Sequence, residues 1–528
     1  MDREPTLNPP SSLRSADKQR RRLLSAMLAS LVTACTARGT MTAGTDDARN
    51  VPRRNVDLAM NALDGLVADL MATSGVPGMS VAVVHEGRTV YARGFGTKLA
   101  GTVSPVDADT VFQLASLSKP IGATAVAHEV GAGRVRWDTR VRDLLPWFTL
   151  KDAATSDALT IGDLYAHRSG LPDHAGDRLE DMGYSQREVL ERLRFLPLAS
   201  FRQSYAYTNF GLTAGGIAAA TAAGVDWASL NERAIYGPLH MTRTSSRFAD
   251  YEARSNRAFG HRLVGGVWQR VQPPRMPDAQ APAASVTSSV NDMAKWLVML
   301  MGNGVYEGRR IVDAAALGSA LDRQIQVAPA HEGRAASYYG YGFNVGTTPA
   351  GRVVYSHSGA FATGAGTAFR MVPAARLAII ALTNGSPVGV PEILQQQFFD
   401  LVEHGAAQVD WGAIIRPYFA KMNAPEGSLV GTSRPAAPKP PRPLGGYSGV
   451  YRNDYHGPLT ISLTSGSLVA TLGAAPLRLP LAHWDGDTFT FTLDNENAAP
   501  GTISKATFAQ DRVTLEYYDE EGLGTFVR

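Results

Sequence analysis

The sequence predicts a mixed α/β (α+β) chain with a small all-β domain after it, and three observations carry that expectation. Strand-like runs sit at both ends of one long segment, and helical periodicity fills the stretch between them. Short strands separated by Gly and Asn/Asp turns then follow a Pro-rich stretch. The 528 residues are 44% hydrophobic and 19% charged, a globular balance able to bury a large core without disulfides or structural metals. Against 51 Lys+Arg stand 48 Asp+Glu, and a net charge of +3 gives no broad basic field for nucleic acid. The single cysteine excludes an internal disulfide and every Cys-rich metal site.

Taken in order, residues 1–34 read as an export signal. Arg14, Lys18 and Arg20 to Arg22 precede an apolar run from Leu23 to Ala34. That run is shorter than the ~20 apolar residues of a membrane-spanning helix. Val32-Thr33-Ala34-Cys35 resembles a bacterial lipoprotein box, which implies cleavage before Cys35, lipidation of its thiol and membrane anchoring. Arg20-Arg21 also resembles a loose twin-arginine signal, and an ordinary signal with an incidental cysteine is the plainer alternative. Export puts the expected location in the periplasm or on a bacterial membrane. Residues 1–34 hold six basic and three acidic side chains, so the remaining chain has 45 of each and is formally neutral.

Residues 35–54 are small and polar, a tether. Val56, Met60, Leu63, Val67 and Leu70 recur at helical spacing. Met79–Val84 and Thr89–Phe95 read as strands joined by a hairpin at His85-Glu86-Gly87-Arg88. Helical patterning runs from about Ile121 to Leu300, and strand character returns at Arg352–Ser356, Gly366–Val372 and Leu377–Thr383. A helix around Pro391–Glu403 closes a main domain expected over 55–422. Residues 423–443, rich in proline from Pro435 to Pro443, read as a semi-rigid linker to a β domain over 444–528. That domain is expected to be a barrel or sandwich, with Trp484, Phe489 and Phe491 in its core.

The chemistry lies in short motifs. The Gly-x-Ser-x-Gly elbow, His-Glu-x-x-His and Gly-x-x-x-x-Gly-Lys are all absent. Ser116-Leu117-Ser118-Lys119 is a Ser-x-x-Lys at a loop-to-helix transition. Positions i and i+3 share a helix face, so Lys119 approaches the Ser116 hydroxyl, and the helix N-terminus aims N–H groups at developing negative charge. Pro120 fits only near the first turn. A lysine desolvated in a cleft loses its proton near neutral pH and serves as a base. Each motif alone is weak, because decoys occur at Ser15 to Lys18, Tyr451-Arg452-Asn453, His174-Ala175-Gly176 and His331-Glu332-Gly333.

The ordered set is more specific. Asp109 to Ser116, Thr160 to Leu164, His167 to Pro172, Tyr207-Thr208-Asn209 and Tyr355 to Gly359 together resemble the penicillin-binding protein and class C β-lactamase family of serine hydrolases, over roughly Val56 to His404. The resemblance implies a β-lactamase/DD-peptidase-like fold: an antiparallel sheet flanked by helices, plus a helical lobe. It also implies Ser116 as nucleophile, with Lys119 and Tyr207 sharing proton transfer. Asn209, His357 and Gly359 would bind substrate, and the N–H groups of Ser116 and Ala360 would form the oxyanion hole. Neither metal nor organic cofactor is implied. Where the lactamases carry Lys-Thr-Gly, this chain has His357-Ser358-Gly359, and a histidine is only partly charged near neutral pH. That weakens the case for a β-lactamase, and the resemblance to His-x-Gly members of the family, some of them D-amino-acid-specific peptidases and esterases, implies small esters or amides, including D-amino-acid peptides, as substrates. A true β-lactamase and a non-turnover cell-wall-binding or β-lactam-sensing lipoprotein are the alternatives.

Overall fold

A computed structural model describes residues 51–331 and 335–528. The expected export signal and Cys35 lie outside the described residues. The chain forms two units, one reaching to Asn423 and including Asn495–Asn497, the other comprising Ala424–Asp494 and Ala498–Arg528.

The first unit begins with helix α1 (Arg53–Ser74), which buries Val56, Leu63, Val67 and Leu70 and ends on Gly75 in the left-handed region. Strands β1 (Gly78–His85) and β2 (Arg88–Gly96) follow. Glu86 and Gly87 between them have φ of 54° and 75°, the backbone of a two-residue turn that matches strand twist. The helices that position the site are α2 (Ser118–Gly131), α3 (Asp177–Asp181), α4 (Asn209–Ala222) and α5 (Val290–Met301). The chain then returns to the sheet with β3 (Ile325–Ala328), β4 (Ser337–Tyr339), β5 (Asn344–Thr347), β6 (Val353–Phe361), β7 (Ala365–Val372) and β8 (Leu377–Thr383). Helices α6 (Val390–His404) and α7 (Trp411–Met422) complete it.

The eight strands lie in the order β2-β1-β8-β7-β6-β5-β4-β3, all antiparallel. Both ends of the segment therefore build one sheet: β1 pairs with β8 from Met79↔Thr383 to His85↔Leu377. Strands β7 and β8 are buried along their whole length, and β1 is buried except at His85, which is why they read as unbroken apolar runs. The apolar stripes of α1, α6 and α7 share a core cluster with Val81, Val83, Ile379 and Ala381 of the sheet. Helix α5 packs on β1 and β8.

Strand β6 continues five residues past the run expected from sequence, to Phe361. Ser358 and Gly359 have little strand propensity, but pairing with β7 from Tyr355↔Met371 to Phe361↔Ala365 overrides it. The short strands β3 to β5 were not expected, since runs of three or four residues leave too little periodicity to read.

The second unit contains a closed antiparallel barrel of eight strands between Gly449 and Val527. Its strands alternate buried and exposed positions, with Leu459, Ile461, Phe489, Phe491 and Phe508 inside. Trp484 departs from the expectation of a core position. It is half-buried, because alternation along the strand turns Arg478, Pro480 and Ala482 outward and Trp484 shares their parity. The Pro-rich stretch is tied to the barrel: Lys439 N–H donates to Asp485 Oδ1 at 2.6 Å, and Gly486 N–H donates to the Lys439 carbonyl at 2.8 Å.

Candidate active site

From Val111 to Ala127 every residue is buried except Ser116, which is half-buried. Ser116 sits in a 3-10 turn, Ala115–Leu117, that runs directly into α2. Ala115 before it has φ of 48°, a strained conformation for a residue with a Cβ, held because its surroundings over-determine it. The turn is pinned on several sides. Ser118 Oγ donates to the Ala115 carbonyl at 2.7 Å and accepts from Val286 N–H at 2.9 Å, while Thr367 Oγ1 donates to the Leu114 carbonyl at 2.8 Å.

Lys119, the second residue of α2, is fully buried. Its Nζ donates to Ser116 Oγ at 2.9 Å and to the Ala283 carbonyl at 3.1 Å, and lies 4.6 Å from the centre of the Tyr207 ring. Tyr207, just before α4, donates its phenol to the same Oγ at 2.9 Å. A hydroxyl, an amine and a phenol distant in sequence thus converge on one oxygen. Desolvation brings the Lys119 amine down from 10.5 to about 7, partly opposed by the charge of Asp177. The same burial pushes the Tyr207 phenol well above its ordinary value. Near neutral pH the amine is poised to lose its proton while the phenol keeps its own, a division suited to a base and an acid acting on one nucleophile.

The His167–Pro172 stretch holds Tyr207 in place. Ala206 N–H donates to the His167 carbonyl at 2.9 Å and Thr208 N–H donates to His167 Nδ1 at 3.1 Å. The Thr160–Leu164 stretch acts at one remove. Thr160 and Asp163 form a reciprocal cap at the start of a short helix, and the Asp163 carboxylate takes ion pairs from Arg168 and Arg202. These residues support the turn rather than touch the reacting oxygen.

Gly359 brings β6 against Ser116. A Cβ there would lie 2.9 Å from Ser116 N and would collide with the Leu114 carbonyl, so glycine alone permits this approach. The backbones of Ser116 and of the Gly359–Ala360 strand thereby come together. His357 is also at the site but faces inward. It is 4% exposed, its Nδ1 lies 2.7 Å from the Ser358 carbonyl, and its Nε2 lies 2.9 Å from the Tyr339 hydroxyl. The partial charge expected from sequence does not survive this setting: burial, reinforced by Lys119, takes the imidazole down to about 3, and it stays neutral. Asn209, the first residue of α4, gives its Nδ2 to Asp177 Oδ2 at 2.9 Å. His174, Asp177, Tyr339 and His167 were not among the residues expected at the site. His174 had the appearance of a motif decoy, His167 opens a stretch that resembles the family but carried no site role, and no local pattern marks Asp177 or Tyr339. Among the described residues, no group of three His, Cys, Asp or Glu side chains is placed to hold a metal ion.

Comparisons with known proteins bear on the family and the fold. The Beta-lactamase family model matches residues 63–398, and a domain of unknown function (DUF3471) matches residues 433–522. "Unguisins hydrolase" of Aspergillus violaceofuscus is 27% identical over 479 residues, covering 82% of each chain. Penicillin-binding protein 4 of Amycolatopsis lactamdurans is 30% identical over 326 residues, 59% of this chain and 81% of the relative. Among solved structures, the octameric penicillin-binding protein homologue from Pyrococcus abyssi superposes with a TM-score of 0.57 at 19% identity, covering 89% of this chain and all of that one. That likeness bears on the fold. With the family model spanning well over half its residues, this chain belongs to the Beta-lactamase family of serine hydrolases related to penicillin-binding proteins.

Proposed function

We propose that the chain hydrolyses small esters or amides, D-amino-acid peptides among them, through an acyl-Ser116 intermediate. The observation that carries this reading is the double donation to Ser116 Oγ, from a fully buried Lys119 and from Tyr207, each at 2.9 Å. Lys119, as the free amine, takes the hydroxyl proton as Oγ adds to the substrate carbonyl. The N–H groups of Ser116 and Ala360 receive the oxyanion. The bond to the leaving group breaks as Tyr207 supplies its proton, and Lys119 returns a proton to Tyr207. Water then cleaves the acyl ester by the reverse relay. Asn209 keeps an oxygen that makes no hydrogen bond among the described residues, an acceptor for a substrate N–H.

A neutral His357 offers no cation for a substrate carboxylate, and this favours esters and amides without a carboxylate over β-lactams. The hydrolase name of the fungal relative favours turnover over sensing. The protein is exported and anchored through Cys35 in this reading.

The deciding experiment compares p-nitrophenyl esters, a D-Ala-D-Ala peptide and a chromogenic cephalosporin on purified protein, with fluorophosphonate labelling followed by intact mass. Ester or peptide turnover that vanishes in S116A together with the adduct supports the proposal. Rapid cephalosporin turnover with inert esters would establish a β-lactamase instead, and a persistent adduct without product a sensor. For the anchor, C35S should leave the membrane fraction; equal membrane association would remove that part.

A further inference from the structure

A carboxylate stands behind the Tyr207 side of the site. Asp177, at the start of α3, is 3% exposed, and its Oδ2 lies 2.8 Å from His174 Nδ1 and accepts from Asn209 Nδ2 at 2.9 Å. Its other oxygen is buried and makes no hydrogen bond among the described residues. Both partners are tied to Tyr207: His174 N–H donates to the Tyr207 carbonyl at 2.8 Å, and Asn209 follows Tyr207 by two residues. A buried carboxylate satisfied on one oxygen only projects its charge through a medium that screens it poorly.

We propose that Asp177 is a positioning residue of the Ser116 site, a carboxylate locked between His174 and Asn209 that holds the Asn209 amide and lends its negative charge to the buried Lys119. This rests on the acyl-serine reading with Lys119 as base. Without a nearby carboxylate, complete burial would lower the Lys119 amine further. With one, the amine is poised near neutrality, where it takes and returns a proton within one cycle.

The surroundings leave Asp177 as the charged group for this role. Lys119 is otherwise faced by Ser116 Oγ, the Ala283 carbonyl and the Tyr207 ring. His167 and His357 also face it, and both imidazoles are held neutral by burial and by Lys119 itself. Asp177 is faced by His174 and Asn209, by Tyr207, and by Glu180, whose carboxylate is paired with Arg275. Asp173 also acts on the Tyr207 phenol, but Asp177 is the carboxylate that acts on the amine.

The test is the pH profile of Ser116 labelling by a fluorophosphonate, with ester turnover beside it, in wild type, D177N and D177E. The D177N side chain keeps the shape of the carboxylate and its amide oxygen still accepts from Asn209, so this variant removes the charge alone. The acid limb should move about one pH unit lower in D177N. It should stay at the wild-type position in D177E. A slower D177N whose limb does not move would reduce Asp177 to a structural support and overturn the assignment. If D177N does not fold, a limb that shifts in D177E overturns it equally. N209A should lower the rate without moving the limb. A wild-type protein that is not labelled would sink the acyl-serine reading, whereas labelling with an unmoved limb sinks the Asp177 assignment alone.

Discussion

Two His-x-Gly segments, His174-Ala175-Gly176 and His357-Ser358-Gly359, read alike in the sequence and both stand near the same phenol. Their imidazoles lie 5.8 Å and 6.5 Å from the Tyr207 ring centre. His357 is enclosed by the sheet and meets a carbonyl and a tyrosine hydroxyl. His174 has a side chain 29% exposed and rests against the Asp177 carboxylate. The difference teaches that a motif names a residue type but not its state. An imidazole shut away from water becomes a neutral structural element, and one left at a wet edge beside a carboxylate belongs to an ionic network.

Four measurements break or sharpen this contrast. The largest effect belongs to the buried amine beside that phenol. K119M should lower kcat/KM for an ester by about three orders of magnitude, as expected for loss of a base acting on a nucleophile. In wild type the rate should rise with pH through about 7, because the deprotonated amine is the active form; a profile flat across that range would remove Lys119 as the base. Next, H357A should cost about 30-fold, since it empties a packed position beside the nucleophile strand, while H174A should stay within about threefold. Equal losses would erase the distinction between buried and wet histidines.

A smaller effect tests the Tyr339 partnership. Y339F leaves His357 Nε2 without its donor and should lower stability by about 1 kcal/mol in chemical denaturation, with wild-type resistance counting against that bond. The last concerns stability and pH. His357 is neutral in folded and unfolded chains above about 6.5, and its folded form resists protonation down to about 3. As pH falls through that window, the unfolded chain binds a proton that the native chain refuses, so stability is lost. H357N should therefore lose about 1–2 kcal/mol less than wild type between neutral pH and about pH 5. Parallel losses would mean that His357 titrates normally.

Much of the fold was legible because its signals are local. The stripe of α1, the Glu86-Gly87 turn and the apolar runs of β1, β7 and β8 follow from spacing and composition within a few residues. The short strands β3 to β5 were not legible, being held by neighbours rather than by their own pattern. Trp484 was misplaced because a large aromatic side chain suggests the core, whereas its position shares the outward parity of Pro480 and Ala482. Among the site residues, Ser116, Lys119 and Tyr207 were legible as an ordered set, whereas His174 and Asp177 were not, because only the packing of α3 beside the Tyr207 loop gives them a neighbour.

The amino-acid order by itself determined the element types, the glycine at 359 and the Ser116–Lys119 spacing, for these depend on backbone preference and on residues a few positions apart. Tertiary structure alone decided the charge of each titratable group. Lys119 is poised near neutrality, His357 is neutral and Asp177 stays tied to Asn209 because burial and distant partners, which no local spacing encodes, set the electrostatic free energy of a buried group.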